Sequence, residues 1–174
     1  MLEWPLKFEG IIMAAGTLTP FWTPLQRFLA STPKRSFLLY PLLVIVFEYA
    51  LYGRVSITWW GVPLLVWGFL QYKLIGRFRH PIAKGSSGMD EMPERIVDFG
   101  PYRYTRNPMY LGHLIFLTGL AVTFQSWLGL AILLANIVWF DRRVRRDEAR
   151  LTAAFGDEYT AYTARVKRWI PYIV

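Results

Sequence analysis

The segment Met109–Phe140, MYLGHLIFLTGLAVTFQSWLGLAILLANIVWF, contains two apolar runs that are separated by one small polar residue. A helix that spans a bilayer needs about 20 predominantly apolar residues, and the runs 109–125 and 127–140 approach that length. Since only Ser126 lies between them, the pattern predicts a tight hairpin of two membrane helices.

Two further apolar runs, 36–52 and 57–75, precede this hairpin and are joined by a short turn. They predict a second pair of spans. A weaker apolar stretch at 10–30 contains two prolines. It fits either a kinked fifth span or a helix lying in the membrane interface, and both alternatives stay open.

The composition agrees with a membrane protein, because 54% of the residues are hydrophobic, 17% are aromatic and only 18% are charged. The net charge of +8 indicates cytoplasmic loops and contact with anionic lipid, and no nucleic-acid partner. The absence of cysteine excludes disulfides, thiolate nucleophiles and cysteine metal sites, and we expect no metal. The predicted fold class is an all-α integral membrane protein with four to five transmembrane helices and a C-terminal cytoplasmic helical extension.

Basic residues orient the predicted spans. They cluster before the first span, after the second and after the fourth, where DRRVRRDEAR occupies 141–150. Positively charged loops stay on the cytoplasmic side, so the short turns face outward and the C-terminus is cytoplasmic. A short chain of this kind is typical of the inner (plasma) membrane of a prokaryote. Its oligomeric state is left open.

The fourth helix is expected to continue past Phe140 as far as Gly156, a natural helix C-cap. A second short helix should begin at Asp157 and be stopped by Pro171. Glu48 lies near the outer end of the first span and is interpreted as structural.

One carboxylate lies on the apolar stripe of the continuing helix. On a period of 3.6 residues the stripe runs from Ile137 through Val144 and Leu151 to Phe155, and Glu148 lies on it. A buried carboxylate is costly unless a positive group pairs with it. Glu148 forms an ion pair with a nearby arginine, such as Arg143 or Arg103, or the site receives a cationic ligand, and both can hold in one pocket.

The polar stretch GPYRYTRNPMYLGH at 100–113 precedes the third span. Pro108 marks the start of the helix, whose free N–H groups could receive a carboxylate. Tyr110 and His113 share one helical face. An intramembrane ionisable residue such as His113 is a functional candidate, although it could also be hydrogen-bonded between helices. The tyrosines and arginines of this stretch could equally form an interfacial anchor belt.

Taken together, these features resemble one family. The order is GPYRYTRNPMYLG, a membrane hairpin, the pair Asp147-Glu148 and then FGDEYTAYTARVKRWIP. It resembles the isoprenylcysteine carboxyl methyltransferases and the related phospholipid N-methyltransferases over about residues 60–171. The family has Arg-His-Pro where this chain has Arg106-Asn107-Pro108, and Glu-Glu where it has Asp147-Glu148. A second match, Arg79-His80-Pro81, lacks the lead sequence and is interpreted as loop.

The resemblance implies S-adenosylmethionine as methyl donor and a lipid or lipid-anchored carboxylate or amine as acceptor. The acidic pair would hold the amino group or balance the sulfonium, arginines or the helix start would hold the carboxylate, and tyrosines would flank the adenine. The implied cofactor-binding residues are Tyr102, Arg103, Tyr104, Arg106, Asn107, Pro108, Tyr110, Leu111, Gly112, His113, Asp147, Glu148 and Tyr159.

The implied catalytic residues are Glu148, Arg143 and His113. A carboxylate acceptor needs no base, whereas an amine must first lose a proton, for which His113 and Glu148 are candidates. Arg143 could steer an anionic acceptor. Two other classes remain, a non-enzymatic membrane protein of the same fold and a reductase that uses NADPH.

The resulting organisation has five parts. They are an N-terminal apolar or interfacial segment with a possible extra span (1–35), a transmembrane hairpin (36–75), a cytoplasmic loop leading to GPYRYTRNP (76–108), a second transmembrane hairpin (109–140) and cytoplasmic C-terminal helices that complete the cofactor site (141–174).

Overall fold

The computed structural model describes residues 19–83 and 93–170, and its regular structure in these ranges is entirely helical. This confirms the all-α prediction for the described residues. The long helix Thr32–Tyr52 contains a π-helical turn at Arg35–Leu39, directly after its first three residues. The six helices are α1 (Thr19–Ala30), α2 (Thr32–Tyr52), α3 (Val62–Ala83), α4 (Pro108–Phe124), α5 (Trp127–Phe155) and α6 (Asp157–Arg165).

Among the described helices, only α2 is both long and apolar enough to cross a membrane by itself, and α4 is a shorter apolar helix. The predicted count of four to five spans therefore stays a prediction. Helix α1 has 12 residues, too few to span a bilayer alone. The rest of the predicted 10–30 segment lies outside the described residues. Many large apolar side chains on α2, α3 and α5 are exposed, among them Leu42, Trp67 and Leu134.

Helices α3 and α4 pack with their backbones in close contact, because glycines face each other at two levels. A Cβ placed on Gly119 would lie 2.6 Å from the Leu65 nitrogen, and one on Gly68 would lie 2.6 Å from the Gly112 carbonyl oxygen. Small residues permit such close approach of membrane helices. The absence of a side chain at Gly112 therefore allows α3 and α4 to pack closely.

The turn between α4 and α5 is as tight as predicted. Gln125 takes a left-handed conformation with φ of 49°. The side chain of Ser126 then caps α5 by accepting a hydrogen bond from the Gly129 nitrogen at 3.2 Å. The start of α4 at Pro108 also agrees with the prediction.

Helix α3 extends further than predicted. It continues to Ala83 with Pro81 in its last turn, so the interpretation of Arg79-His80-Pro81 as loop was wrong. The last turns of α3 have apolar partners that the local sequence does not reveal. Ile75 and Ala83 pack in one buried cluster with Val97 and Tyr102, which stabilises the additional helical turns.

Helix α5 has 29 residues and ends at a Gly156 cap, as predicted. Its buried side agrees with the predicted stripe except at one position. Val144 and Glu148 are buried as predicted, together with Phe140, whereas Ile137 is 43% exposed. A helix in a lipid environment can place apolar side chains on its outer face as well, so the apolar pattern did not show that Ile137 is exposed.

Helix α6 begins at Asp157 as predicted but ends at Arg165, before the predicted stop at Pro171. Val166 has extended backbone angles. The extended conformation frees the carbonyl groups of the residues that follow, and these bind the 100–108 motif.

Candidate functional site

Hydrogen bonds to backbone carbonyl oxygens hold the motif before α4 against the segment after α6. The Arg106 nitrogen donates to the Lys167 carbonyl oxygen at 3.0 Å. Thr105 Oγ1 and Asn107 Nδ2 both donate to the Arg168 carbonyl oxygen, at 3.0 and 3.2 Å. Asn107 thus serves as a donor that holds the two segments together.

Glu148 forms ion pairs with two arginines, one in the motif and one in the segment after α6. Its Oε1 accepts from Arg106 Nε at 2.9 Å, and its Oε2 accepts from Arg168 Nη2 at 2.7 Å. Arg106 Nη1 also donates to the carbonyl oxygens of Thr163 and Val166. We call the three side chains of Glu148, Arg106 and Arg168 the clamp. The predicted pairing with Arg143 or Arg103 was wrong, although the prediction of an arginine partner was correct.

Tyr110 connects the start of α4 to α5. Its hydroxyl accepts from Arg143 Nε at 2.8 Å and lies 3.2 Å from Asp147 Oδ2, to which it donates. Arg143 Nε lies 3.8 Å from the same Asp147 oxygen. The two members of the acidic pair therefore have different surroundings, since Asp147 faces Tyr110 whereas Glu148 is held by the clamp.

An open cleft of about 140 Å³ lies between the motif, the end of α3, the segment 93–97 and the helices α5 and α6. Six residues expected at the site line this cleft: Tyr102, Arg106, Asn107, Tyr110, Asp147 and Tyr159. The cleft therefore joins the two halves of the sequence pattern, which lie about 40 positions apart in the chain.

A sequence model of the phospholipid methyltransferase family matches residues 58–158, which hold all of α3, α4 and α5 and much of the cleft wall. The chain belongs to this phospholipid methyltransferase family. The match leaves α1, α2 and all but the first two residues of α6 outside.

Curated relatives of this family member agree with the match. Over 80 residues it is 32% identical to the protein-S-isoprenylcysteine O-methyltransferase of Schizosaccharomyces pombe, covering 45% of this chain and 34% of that protein. Over 85 residues it is 33% identical to protein-S-isoprenylcysteine O-methyltransferase B of Arabidopsis thaliana, covering 48% and 43%. The matched region thus spans less than half the length of each relative.

The fold of this family member is also similar to a solved structure. The eukaryotic intramembrane Ras methyltransferase, an isoprenylcysteine carboxyl methyltransferase, aligns with a TM-score of 0.57 at 20% sequence identity. The alignment covers 82% of this chain and 53% of that protein. The two proteins therefore share a fold.

The remaining predicted site residues of this family member lie away from the cleft lining. Arg103 and Tyr104 are exposed at the surface, with the guanidinium 5.2 Å from the tyrosine ring. His113 is fully buried and stacks on Phe37 with ring centroids 4.7 Å apart. Their predicted roles stay predictions, as do those of Pro108, Leu111, Gly112, Arg143 and Glu148.

The cleft tyrosines are neutral hydrogen-bonding groups. Burial raises the pKa of Tyr102 to about 12, and burial raises the pKa of Tyr159 to about 12 as well. Tyr162, whose hydroxyl donates to the Tyr102 carbonyl oxygen at 2.8 Å, also has a raised pKa because it is buried. Tyr102 and Tyr159 therefore offer aromatic faces and O–H donors to a ligand at physiological pH, whereas the Tyr162 hydroxyl is bonded to the Tyr102 carbonyl oxygen.

The sequence did not indicate several residues of the site. Arg168 completes the clamp from the extended segment after α6, a segment that the sequence predicted to be helical. Other cleft residues lie in the end of α3 and in the predicted loop, where no motif marks them: Arg79, Pro93, Arg95, Ile96 and Val97.

Proposed function

We propose that the protein is an integral membrane methyltransferase that uses S-adenosylmethionine to methylate a lipid or lipid-anchored acceptor at the cytoplasmic side of a prokaryotic inner membrane. One observation carries this proposal. The cleft brings Tyr102 of the GPYRYTRNP motif, Tyr110 of α4 and the tyrosines of α6 together with the Asp147 carboxylate, beside helices with apolar outer faces. Membership of the phospholipid methyltransferase family supports it.

The lining residues fit the chemistry of S-adenosylmethionine. Asp147 supplies a carboxylate for its ammonium or sulfonium charge. Tyr102 and Tyr159 provide aromatic faces, which attract cations and stack on adenine. Arg79 and Arg150, which also line the cleft, provide positive charge for its carboxylate. Apolar contact comes from Ile96, Val97 and Leu151.

When bound, S-adenosylmethionine supplies an electrophilic methyl group. The residues of this chain contribute alignment, charge balance and exclusion of water, which are the main requirements of a displacement reaction. Tyr110 and Asp147 form one wall through their mutual hydrogen bond, which fixes the direction of the carboxylate. The clamp holds the motif against the C-terminal segment, so that the opposite walls keep their spacing.

A carboxylate acceptor agrees better with this lining than an amine. Such an acceptor is already a nucleophile and is converted to its methyl ester without loss of a proton. The two proposed bases, His113 and Glu148, are both buried away from the cleft lining. Phosphatidylethanolamine-type N-methylation remains the alternative within the family. Radiolabelled methyl transfer to a total lipid extract distinguishes base-labile methyl esters from stable N-methyl products.

Replacing Asp147 by asparagine should weaken binding of S-adenosylhomocysteine by about tenfold, because a charge-assisted contact becomes a neutral one. The amide oxygen can still accept the Tyr110 hydrogen bond, so the fold should be retained. Calorimetric titration of the purified protein measures the affinity, and a thermal melt without ligand measures the stability.

The matched control is Asp157→Asn, which removes the same charge from an exposed position at the start of α6. It should bind S-adenosylhomocysteine like the wild type. Unchanged affinity in Asp147→Asn would refute the role of Asp147. Absence of both S-adenosylhomocysteine binding and methyl transfer in the wild type would refute the proposed function.

A reductase that uses NADPH is the second candidate, because four arginines line the cleft and could bind phosphate groups: Arg79, Arg95, Arg106 and Arg150. Titration with NADPH separates the two candidates. Tight binding of NADPH together with no binding of S-adenosylhomocysteine would favour the reductase.

A further inference from the structure

Three tryptophans in the two hairpin turns are the most exposed large apolar side chains of the described residues. Trp59 and Trp60 end the turn between α2 and α3 and are 75% and 85% exposed, and Trp127 opens α5 and is 74% exposed. An indole combines a large apolar ring with a single N–H donor. Leaving three such rings in water is unfavourable, so this surface needs a partner. We call these three side chains the collar.

Backbone contacts join the two turns that carry the collar. The Thr58 nitrogen, next to Trp59, donates to the Thr123 carbonyl oxygen at 2.7 Å. A Cβ placed on Gly61 would lie 2.8 Å from the Gly119 carbonyl oxygen, so the first turn packs directly on the end of α4. The three tryptophans therefore lie at the same end of the helix bundle, on one connected surface.

The collar lies about one membrane thickness away from the cleft. Helix α4 begins at Pro108, between the cleft residues Asn107 and Met109, and it ends at Phe124, just before the second turn. Its 17 residues extend over about 25 Å at 1.5 Å per residue. The hydrocarbon core of a bilayer is about 30 Å thick. Cleft and collar are thus placed to lie at opposite surfaces of one membrane.

The surroundings of the collar favour lipid as its partner. Arg54 is the one charged residue between positions 49 and 72, and the sequence has no Asp, Glu, Lys or Arg between 109 and 140. The helices that meet at the collar also carry exposed apolar side chains, among them Leu51, Trp67 and Leu130. The collar therefore continues a lipid-facing surface. Tryptophan is enriched where such a surface reaches the headgroup level.

We propose that the collar binds the phospholipid headgroup interface on the side of the membrane opposite the cleft, and that this contact fixes the depth of the helix bundle. The indole rings lie among the upper chain segments, and their N–H groups donate to ester carbonyl oxygens of the lipid. Since α4 joins the two ends at a fixed length, the collar holds the cleft at the level of the other headgroup layer. The collar does not take part in methyl transfer, so it can be tested independently of the proposed function.

The position of the collar can be measured directly, because the chain has no cysteine and accepts a single nitroxide label. The full chain is placed in phosphatidylcholine nanodiscs, and electron paramagnetic resonance measures collisions of the label with oxygen and with a water-soluble nickel chelate, which together give its depth. Labels at Trp60→Cys and Trp127→Cys should lie at the headgroup level. A label at Leu134→Cys, on an exposed position of α5, should lie about 10 Å deeper.

Replacing all three collar residues by alanine should change the depth of the Leu134→Cys label by about 3 Å, the rise of two helical residues, because the bundle loses its interfacial contact. Replacing them by tyrosine should restore the depth, since tyrosine shares the interfacial preference. The matched control is Trp67→Ala, which makes the same replacement on an exposed position of α3, about 10 Å deeper than Trp60. It should leave the depth unchanged.

The alanine variant should fold, because the indoles make few contacts within the protein, and in detergent it should melt within about 2 °C of the wild type. If it does not fold, Trp60→Ala alone gives the same comparison with a smaller shift, since this side chain is the most exposed of the three.

The inference would be overturned by any of three results. A label at Trp60→Cys could meet the nickel chelate as often as one at Asp157→Cys, an exposed position of α6, which would place the collar in water. Labels shielded from both reagents would show that protein, such as a second copy of the chain, covers the collar. An unchanged depth of the Leu134→Cys label in the alanine variant would show that the collar does not fix the depth.

Discussion

Replacing Glu148 by glutamine should lower the stability of the protein without ligand by about 3 kcal/mol, because Arg106 and Arg168 then lose a common buried partner. For a chain of this size the melting temperature should fall by roughly 9 °C. The side chain of Glu148 is only 11% exposed, so solvent compensates little. Thermal unfolding followed by tryptophan fluorescence measures the change.

Glu158→Gln is the matched control, since it makes the same replacement on an exposed side chain of α6. It should unfold like the wild type. A Glu148→Gln protein with an unchanged melting temperature but lost S-adenosylhomocysteine binding would contradict the clamp and support the ligand role predicted from the sequence.

Replacing Gly68 by alanine should destabilise the packing of α3 on α4 by about 2 kcal/mol, which corresponds to a melting temperature lower by about 5 °C. The added methyl group would lie 2.6 Å from the Gly112 carbonyl oxygen. The Gly112 carbonyl oxygen is a backbone atom, and it cannot move aside as a flexible side chain can. The same fluorescence melt measures the loss.

The control lies on the same helix. A methyl group at Gly76 would meet only the end of the Met109 side chain, at 3.8 Å. Gly76→Ala should therefore raise the stability by up to about 1 kcal/mol, through the better helix propensity of alanine. Equal effects at Gly68 and Gly76 would show that the close contact between α3 and α4 is not specific.

Features that depend on neighbouring positions could be predicted from the sequence. The turn at Ser126, the start of α4 at Pro108 and the cap at Gly156 are encoded within a few residues, and each agrees with the structure. The end of α3 depends instead on distant contacts. Its last turns pack against Val97, and no local signal in the sequence reports this.

The residues of the site also divide into those that the sequence motifs predict and those that depend on distant contacts. Motif and spacing placed Tyr102, Tyr110 and Asp147 around one cleft. They could not reveal that Glu148 pairs with Arg168, since α5 has to fold back through α6 before the two meet. Nor could hydropathy tell that Ile137 is exposed, because the apolar surroundings of a membrane helix do not distinguish its lipid face from its buried face.

The hydrogen bonds from the motif to the carbonyl groups of Lys167 and Arg168 also set an order of assembly. During synthesis the six described helices leave the ribosome before these two residues do. All of them can form while Arg106 and Asn107 still lack their carbonyl partners. The cleft is therefore the last described feature to mature. A chain interrupted after α6 should insert its helices normally and yet be unable to hold a cofactor.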